Sequence, residues 1–102
     1  MLNINKTINN NTAVFTLEGR LDTSTAPELD RELKSSLDGV TTLMLDMKEL
    51  NYVSSAGLRV LLSAQKLMNK QGKMTIRNAN ETVMEIFEVT GFSEILDIEG
   101  AD

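Results

Sequence analysis

Two adjacent serines, Ser54 and Ser55, stand where small residues turn an apolar run into a leucine-spaced helix. Leu50-Asn51-Tyr52-Val53 precedes them and Ala56-Gly57 follows. Leu58, Leu61 and Leu62 then give the i, i+3, i+4 spacing of a buried helix face. A hydroxyl in this place has two uses. It accepts from the unpaired N–H groups of the first turn, and either serine is a suitable cap. It is also a good place for a phosphate, because those N–H groups and the positive end of the helix dipole favour an anion. Arg59 comes four residues after Ser55, on the same helical side. A cation in the first turn opposes the dipole, so it either meets an anion or begins the solvated stripe of Ser63, Lys66 and Lys70. Val60, Ala64 and Leu67 widen the helix's apolar arc, as packing against a neighbour or as a docking surface.

Neither serine has the company that a nucleophile needs. The 102 residues contain no histidine and no cysteine. A Ser-His nucleophile, a zinc site and any thiolate or disulfide chemistry are therefore excluded. A small hydrolase or acyltransferase acting through Ser55 also lacks the Gly-x-Ser-x-Gly turn. Glu28 and Asp30 read as a solvated helix face and not as an acid–base pair. No catalytic residue, metal or cofactor is expected, and the chain reads as a binding protein and not an enzyme.

Lys plus Arg is 10 against 15 Asp plus Glu, a net charge of −5, and no basic cluster stands out. The electrostatic term that draws proteins to nucleic acid is missing. No apolar run approaches the length of a membrane span, and no charged leader precedes an apolar block. The expectation is a cytoplasmic monomer with no membrane and no nucleic-acid partner.

The elements that must position the serines follow from pattern. Leu2 and Ile4 alternate with asparagines in a first strand, and Asn9-Asn10-Asn11 signals a turn. Ala13 to Leu17 returns antiparallel, and Glu18-Gly19-Arg20-Leu21-Asp22 ends it. Thr25 is placed to cap a first helix, with Glu28 three residues later and Pro27 in the first turn. Leu29, Leu33 and Leu37 are its core stripe, and Asp38-Gly39 stops it. Thr42 to Met47 reads as a strand covered on at least one face, with Asp46 ending it. The central helix runs from about Ala56 to Asn69, and Gly72 precedes a short strand, Lys73 to Arg77. Asn80 caps a third helix buried through Val83, Ile86 and Phe87, and Gly91 ends it with Phe92 folded back. Ile95, Leu96 and Ile98 suggest a last short strand.

The order is thus β-β-α-β-α-β-α-β, an α/β fold with a mixed, mostly parallel sheet of four to five strands. Right-handed crossovers that advance one way gather the helices mainly on one face. The loops Gly19–Thr25, Leu50–Ser55 and Asn78–Asn80 leave the carboxyl ends of strands, where such sheets bind partners. Asp22 and Ser55 can therefore share an edge. No repeat or linker argues for a second domain, and residues 1–102 are read as one.

Val53-Ser54-Ser55-Ala56-Gly57-Leu58-Arg59-Val60-Leu61-Leu62, after Leu43-Met44-Leu45-Asp46 and Leu50-Asn51-Tyr52, resembles the signature of bacterial anti-anti-sigma factors, the stand-alone STAS domains. Gly19-Arg20-Leu21-Asp22 and Thr90-Gly91-Phe92 also match, so the resemblance spans nearly the whole chain. It implies the same one-sided fold. It implies phosphorylation of the serine two residues before the glycine, here Ser55, with Ser54 as second choice. Many members have Asp before that serine and Ser or Thr after it, where this chain has Ser54 and Ala56. It further implies a partner, an anti-sigma factor serine kinase with a histidine-kinase-like ATP fold, bound when the serine is unmodified so that a sigma factor is freed. A metal-dependent serine phosphatase would reverse the modification. The residues expected to meet the partner are Asp22, Thr23, Ser24, Ser54, Ser55, Ala56, Gly57 and Arg59. Asp22 is either such a contact or a carboxylate that organises Thr23 to Thr25. A STAS switch or scaffold acting on a client other than a sigma factor is the alternative within the binding class.

Overall fold

A computed structural model describes residues 1–99; the expected domain end at Asp102 lies outside them. Strands β1 (Leu2–Asn9) and β2 (Thr12–Leu21) form an antiparallel hairpin. The asparagine turn does what its composition requires, since Asn10 takes the left-handed conformation at φ 59°. Helix α1 (Ala26–Ser36) leads to β3 (Thr42–Val53), and α2 (Ser55–Gln71) leads to β4 (Lys73–Arg77). Helix α3 (Glu81–Thr90) and a single 3₁₀ turn (Phe92–Glu94) complete the described chain.

The sheet order is β1-β2-β3-β4, with β2, β3 and β4 parallel. Both parallel steps advance in one direction, so right-handed crossovers place α1 and α2 on the same face. There α1 packs on α2, α2 on β3 and β4, and α3 on β3. Strand alternation supplies the core: Phe15 and Leu17 of β2, and Leu43, Leu45 and Met47 of β3, are fully buried. Leu29 and Leu33 of α1, Leu61 and Met68 of α2, and Val83 and Phe87 of α3 close over them. No helix among the described residues is long and apolar enough to cross a membrane.

Several sequence expectations need correction. Strands β2 and β3 run on to Leu21 and Val53, well past Leu17 and Met47. Their pairing shifts register between Thr16 and Glu18 and again between Gly19 and Arg20. These bulges break the period-two pattern that sequence reading follows, and Met47, Leu50 and Val53 are buried at spacings of three instead. Asp46 is therefore mid-strand, where it accepts from the backbone N–H of Lys48. The loop expected over Leu50–Ser55 shrinks to Ser54, and the one over Gly19–Thr25 starts at Asp22.

The expected last strand does not form. After Gly91, left-handed at φ 82°, the chain winds through Phe92–Glu94 and only Ile98 makes a bridge, to Ile76 of β4. Leu96 is buried while Ile95 faces solvent, which is the pattern of a compact turn. Finally, Thr25 stands at the cap position of α1 without capping it. Its hydroxyl donates back to the Arg20 carbonyl at 2.8 Å, at the end of β2.

Candidate functional site

The carboxyl ends of β2 and β3 meet in register, Arg20 beside Tyr52 and Leu21 beside Val53. One hydrogen bond then fixes the chain that leaves them: the Ser54 N–H donates to the Leu21 carbonyl at 2.8 Å. Asp22, directly after β2, and Ser55, two residues after β3, consequently lie at one edge of the sheet.

Helix α2 starts immediately. Ser54 is its cap, with an extended backbone and Oγ accepting from the Gly57 N–H at 3.2 Å. Of the two serines left open by the sequence, Ser54 therefore does the capping. Ser55 is the first helical residue and is exposed. Gly57 is buried because the helix comes down on the end of β2. A Cβ there would stand 2.7 Å from Leu21 Cγ and 3.1 Å from the Leu21 carbonyl oxygen. Its atoms are withdrawn from the surface on which it was expected to meet a partner.

Asp22 organises its own loop. Oδ1 accepts from the Ser24 hydroxyl at 2.8 Å, the Ser24 N–H at 3.0 Å and the Thr25 N–H at 3.1 Å. These contacts, the Ser24 hydroxyl foremost, hold the carboxyl below its ordinary value of 3.8. The carboxylate thus fixes the turn that leads into α1, whose Ala26 N–H donates to the Asp22 backbone carbonyl at 2.8 Å. It also keeps Oδ2 toward Arg20, whose Nε lies 3.7 Å away. Thr23 and Ser24 are exposed beside it.

Arg59 is exposed and lines a hollow between α1 and α2 with Thr23, Ala26, Pro27 and Ala56. Ser55 lines a different hollow, on the α3 side, with Tyr52, Leu58, Ile86 and Val89. The two residues share the start of α2 but open to opposite flanks.

Sequence reading missed two features of this edge. The Arg20 guanidinium lies over the Tyr52 ring, 4.6 Å from its centroid, which places a cation–π pair between Asp22 and the serines. Its signal depends on a register that the bulges conceal. Asn80, expected as a cap, does accept from the Val83 N–H at 3.0 Å, and its Nδ2 also donates to the Leu50 carbonyl at 2.6 Å. That second bond ties the start of α3 to β3. Among the described residues, no group of three or more Asp or Glu side chains is gathered as a metal site would require.

Comparison with known proteins agrees with this architecture. A family model described as the STAS domain matches residues 3–100. A Bordetella bronchiseptica protein, BtrV, named as a candidate anti-sigma factor antagonist, is 38% identical over 84 residues, covering 80% of this chain and 72% of its own. The anti-sigma-B factor antagonist of Bacillus subtilis is 29% identical over 98 residues, covering 95% of this chain and 90% of its own. Among solved structures, the Bacillus anti-sigma factor antagonist SpoIIAA, known in unphosphorylated and phosphorylated forms, superposes with TM-scores of 0.74 and 0.73 at 17% identity. Those matches cover 100% and 98% of this chain, and 90% and 92% of the SpoIIAA chains. The shared domain model, the level of identity and the one-sided sheet together make this chain a member of the STAS-domain family of anti-sigma factor antagonists.

Proposed function

We propose that the chain is a phosphorylation-switched binding module, acting as a single domain and a monomer. Unmodified, it holds an anti-sigma factor serine kinase with a histidine-kinase-like ATP fold and so frees a sigma factor. Phosphorylated at Ser55, it lets the kinase go, and a metal-dependent serine phosphatase resets it. Asp22, Thr23, Ser24, Ser54, Ser55, Ala56 and Arg59 form the contact edge.

The observation that carries this reading is the division of labour between the serines. Ser54 caps α2, so the Ser55 hydroxyl is free for modification without uncapping the helix. A phosphate there meets the first-turn N–H groups and the helix dipole, which its own domain tolerates. It also adds about −1.5 to −2 charge to the contact edge. A hundredfold loss of partner affinity needs about 2.7 kcal/mol, within reach of one desolvated repulsive contact. The chain lacks a histidine to activate Ser55, so the kinase must bring ATP, Mg²⁺ and a base. The phosphorylated form known for SpoIIAA supports extending such a switch to this chain.

Displacement tests the reading. Added to a preformed kinase–sigma complex, the wild-type chain is expected to release sigma, and Ser55→Glu to release much less. If the wild type binds the kinase but releases no sigma, the client is a different protein.

A further inference from the structure

Helix α3 carries Glu81, Glu85 and Glu88 and no Lys or Arg. Next to Glu88, Val89 is 81% exposed, although Val83 and Phe87 of the same helix are fully buried. Between α3 and the start of α2 lies an open hollow of about 310 Å³. Leu58, Ile86 and Val89 give it an apolar lining, Glu85 contributes a carboxylate, and Ser55 is one wall.

Because Ser55 is one wall of the hollow, a protein that reaches its hydroxyl from the α3 side covers the hollow. The charge on the α3 side is all of one sign, and the lining favours a non-polar side chain. Resting on the proposed reading of Ser55 as a kinase substrate, we infer that the hollow is the kinase's anchor. It receives an apolar side chain of the kinase flanked by Lys or Arg. The cations belong beside Glu85 and Glu88, away from the γ-phosphate that Ser55 must meet. Val89 is thus a determinant of partner affinity and not of the fold.

The test uses a purified anti-sigma factor kinase, with Kd measured for wild type, Val89→Lys and Asn9→Lys. Val89→Lys removes the apolar contact and repels the expected cations, while a cation in the last helical turn suits the dipole. Asn9→Lys makes the same charge change on exposed β1, at the opposite edge of the sheet. Val89→Lys is expected to weaken binding about tenfold or more, and Asn9→Lys less than about twofold. Glu88→Lys is expected to lower affinity as well and to flatten its salt dependence, and it serves if Val89→Lys melts early. Wild-type affinity in both α3 variants overturns the anchor and leaves the Ser55 reading intact. A kinase that does not bind the wild type overturns both. A wild-type dimer that Val89→Lys dissociates also overturns the anchor, because a second copy then covers the hollow.

Discussion

Gly57 packs its α-carbon against Leu21 so closely that no side chain fits between α2 and the end of β2. Leu21 is fully buried and its carbonyl is held by Ser54, so neither can retreat. Gly57→Ala illustrates two opposed effects. Alanine in a helix is worth about 1 kcal/mol over glycine, while overpacking costs about 1–3 kcal/mol. The expected outcome in denaturant melts is a net loss of up to about 2 kcal/mol. A gain in stability would contradict the close approach.

The two serines are separable by stability. Ser54→Ala removes the cap of α2 and is expected to cost about 1 kcal/mol. Ser55→Ala, at an exposed first-turn position that alanine suits, is expected to change stability by less than about 0.5 kcal/mol. Equal losses in the two variants would mean that the cap is shared.

How much of this was legible in the sequence depends on the range of the interaction. Asn80, Gly91 and the leucines of α1 announce themselves locally, because a cap, a left-handed stop and a helical stripe each involve residues a few positions apart. The positions of Asp22 and Ser55 on one edge followed from topology alone. The Ser54–Leu21 bond, the Gly57 approach and the Arg20–Tyr52 stack depend on pairing between β2 and β3, and that pairing contains two bulges. Thr25 misled for a related reason. Its hydroxyl oxygen accepts from the Asp22 N–H at 2.9 Å instead of from the first turn of α1, and its proton goes to the Arg20 carbonyl near the end of the extended β2. Ile95 to Ile98 misled because apolar content was read as a strand where a turn buries Leu96 alone.

Asp22 gives a pH signature. Its folded carboxyl is held below the ordinary value, so its stabilising contacts are complete above that value and are lost as the pH falls through the lower folded one. Wild type is expected to exceed Asp22→Ala in stability at neutral pH, with the gap closing in acid. Paired melts from about pH 7 to about pH 2 check the sign. A gap that widens in acid would contradict the hydrogen-bonding described.

Asn80 joins two elements through one side chain. Asn80→Ala loses both the α3 cap and the donor to Leu50, and is expected to cost about 2 kcal/mol. Asn80→Ser keeps an acceptor for the cap and is expected to recover about half of that. If serine and alanine melt alike, the tie to Leu50 carries the whole effect.

The central claim is that Ser55 is the modified residue and that its phosphate governs partner affinity. The direct measurement is incubation with the purified kinase and ATP, peptide mapping by mass, and titration of the kinase with the product. The account predicts one phosphate at Ser55, none on Ser55→Ala, and affinity for the kinase about a hundredfold weaker after modification. A phosphate mapped to Ser54, or a Ser55-phosphorylated chain that binds as tightly as the unmodified one, would contradict it.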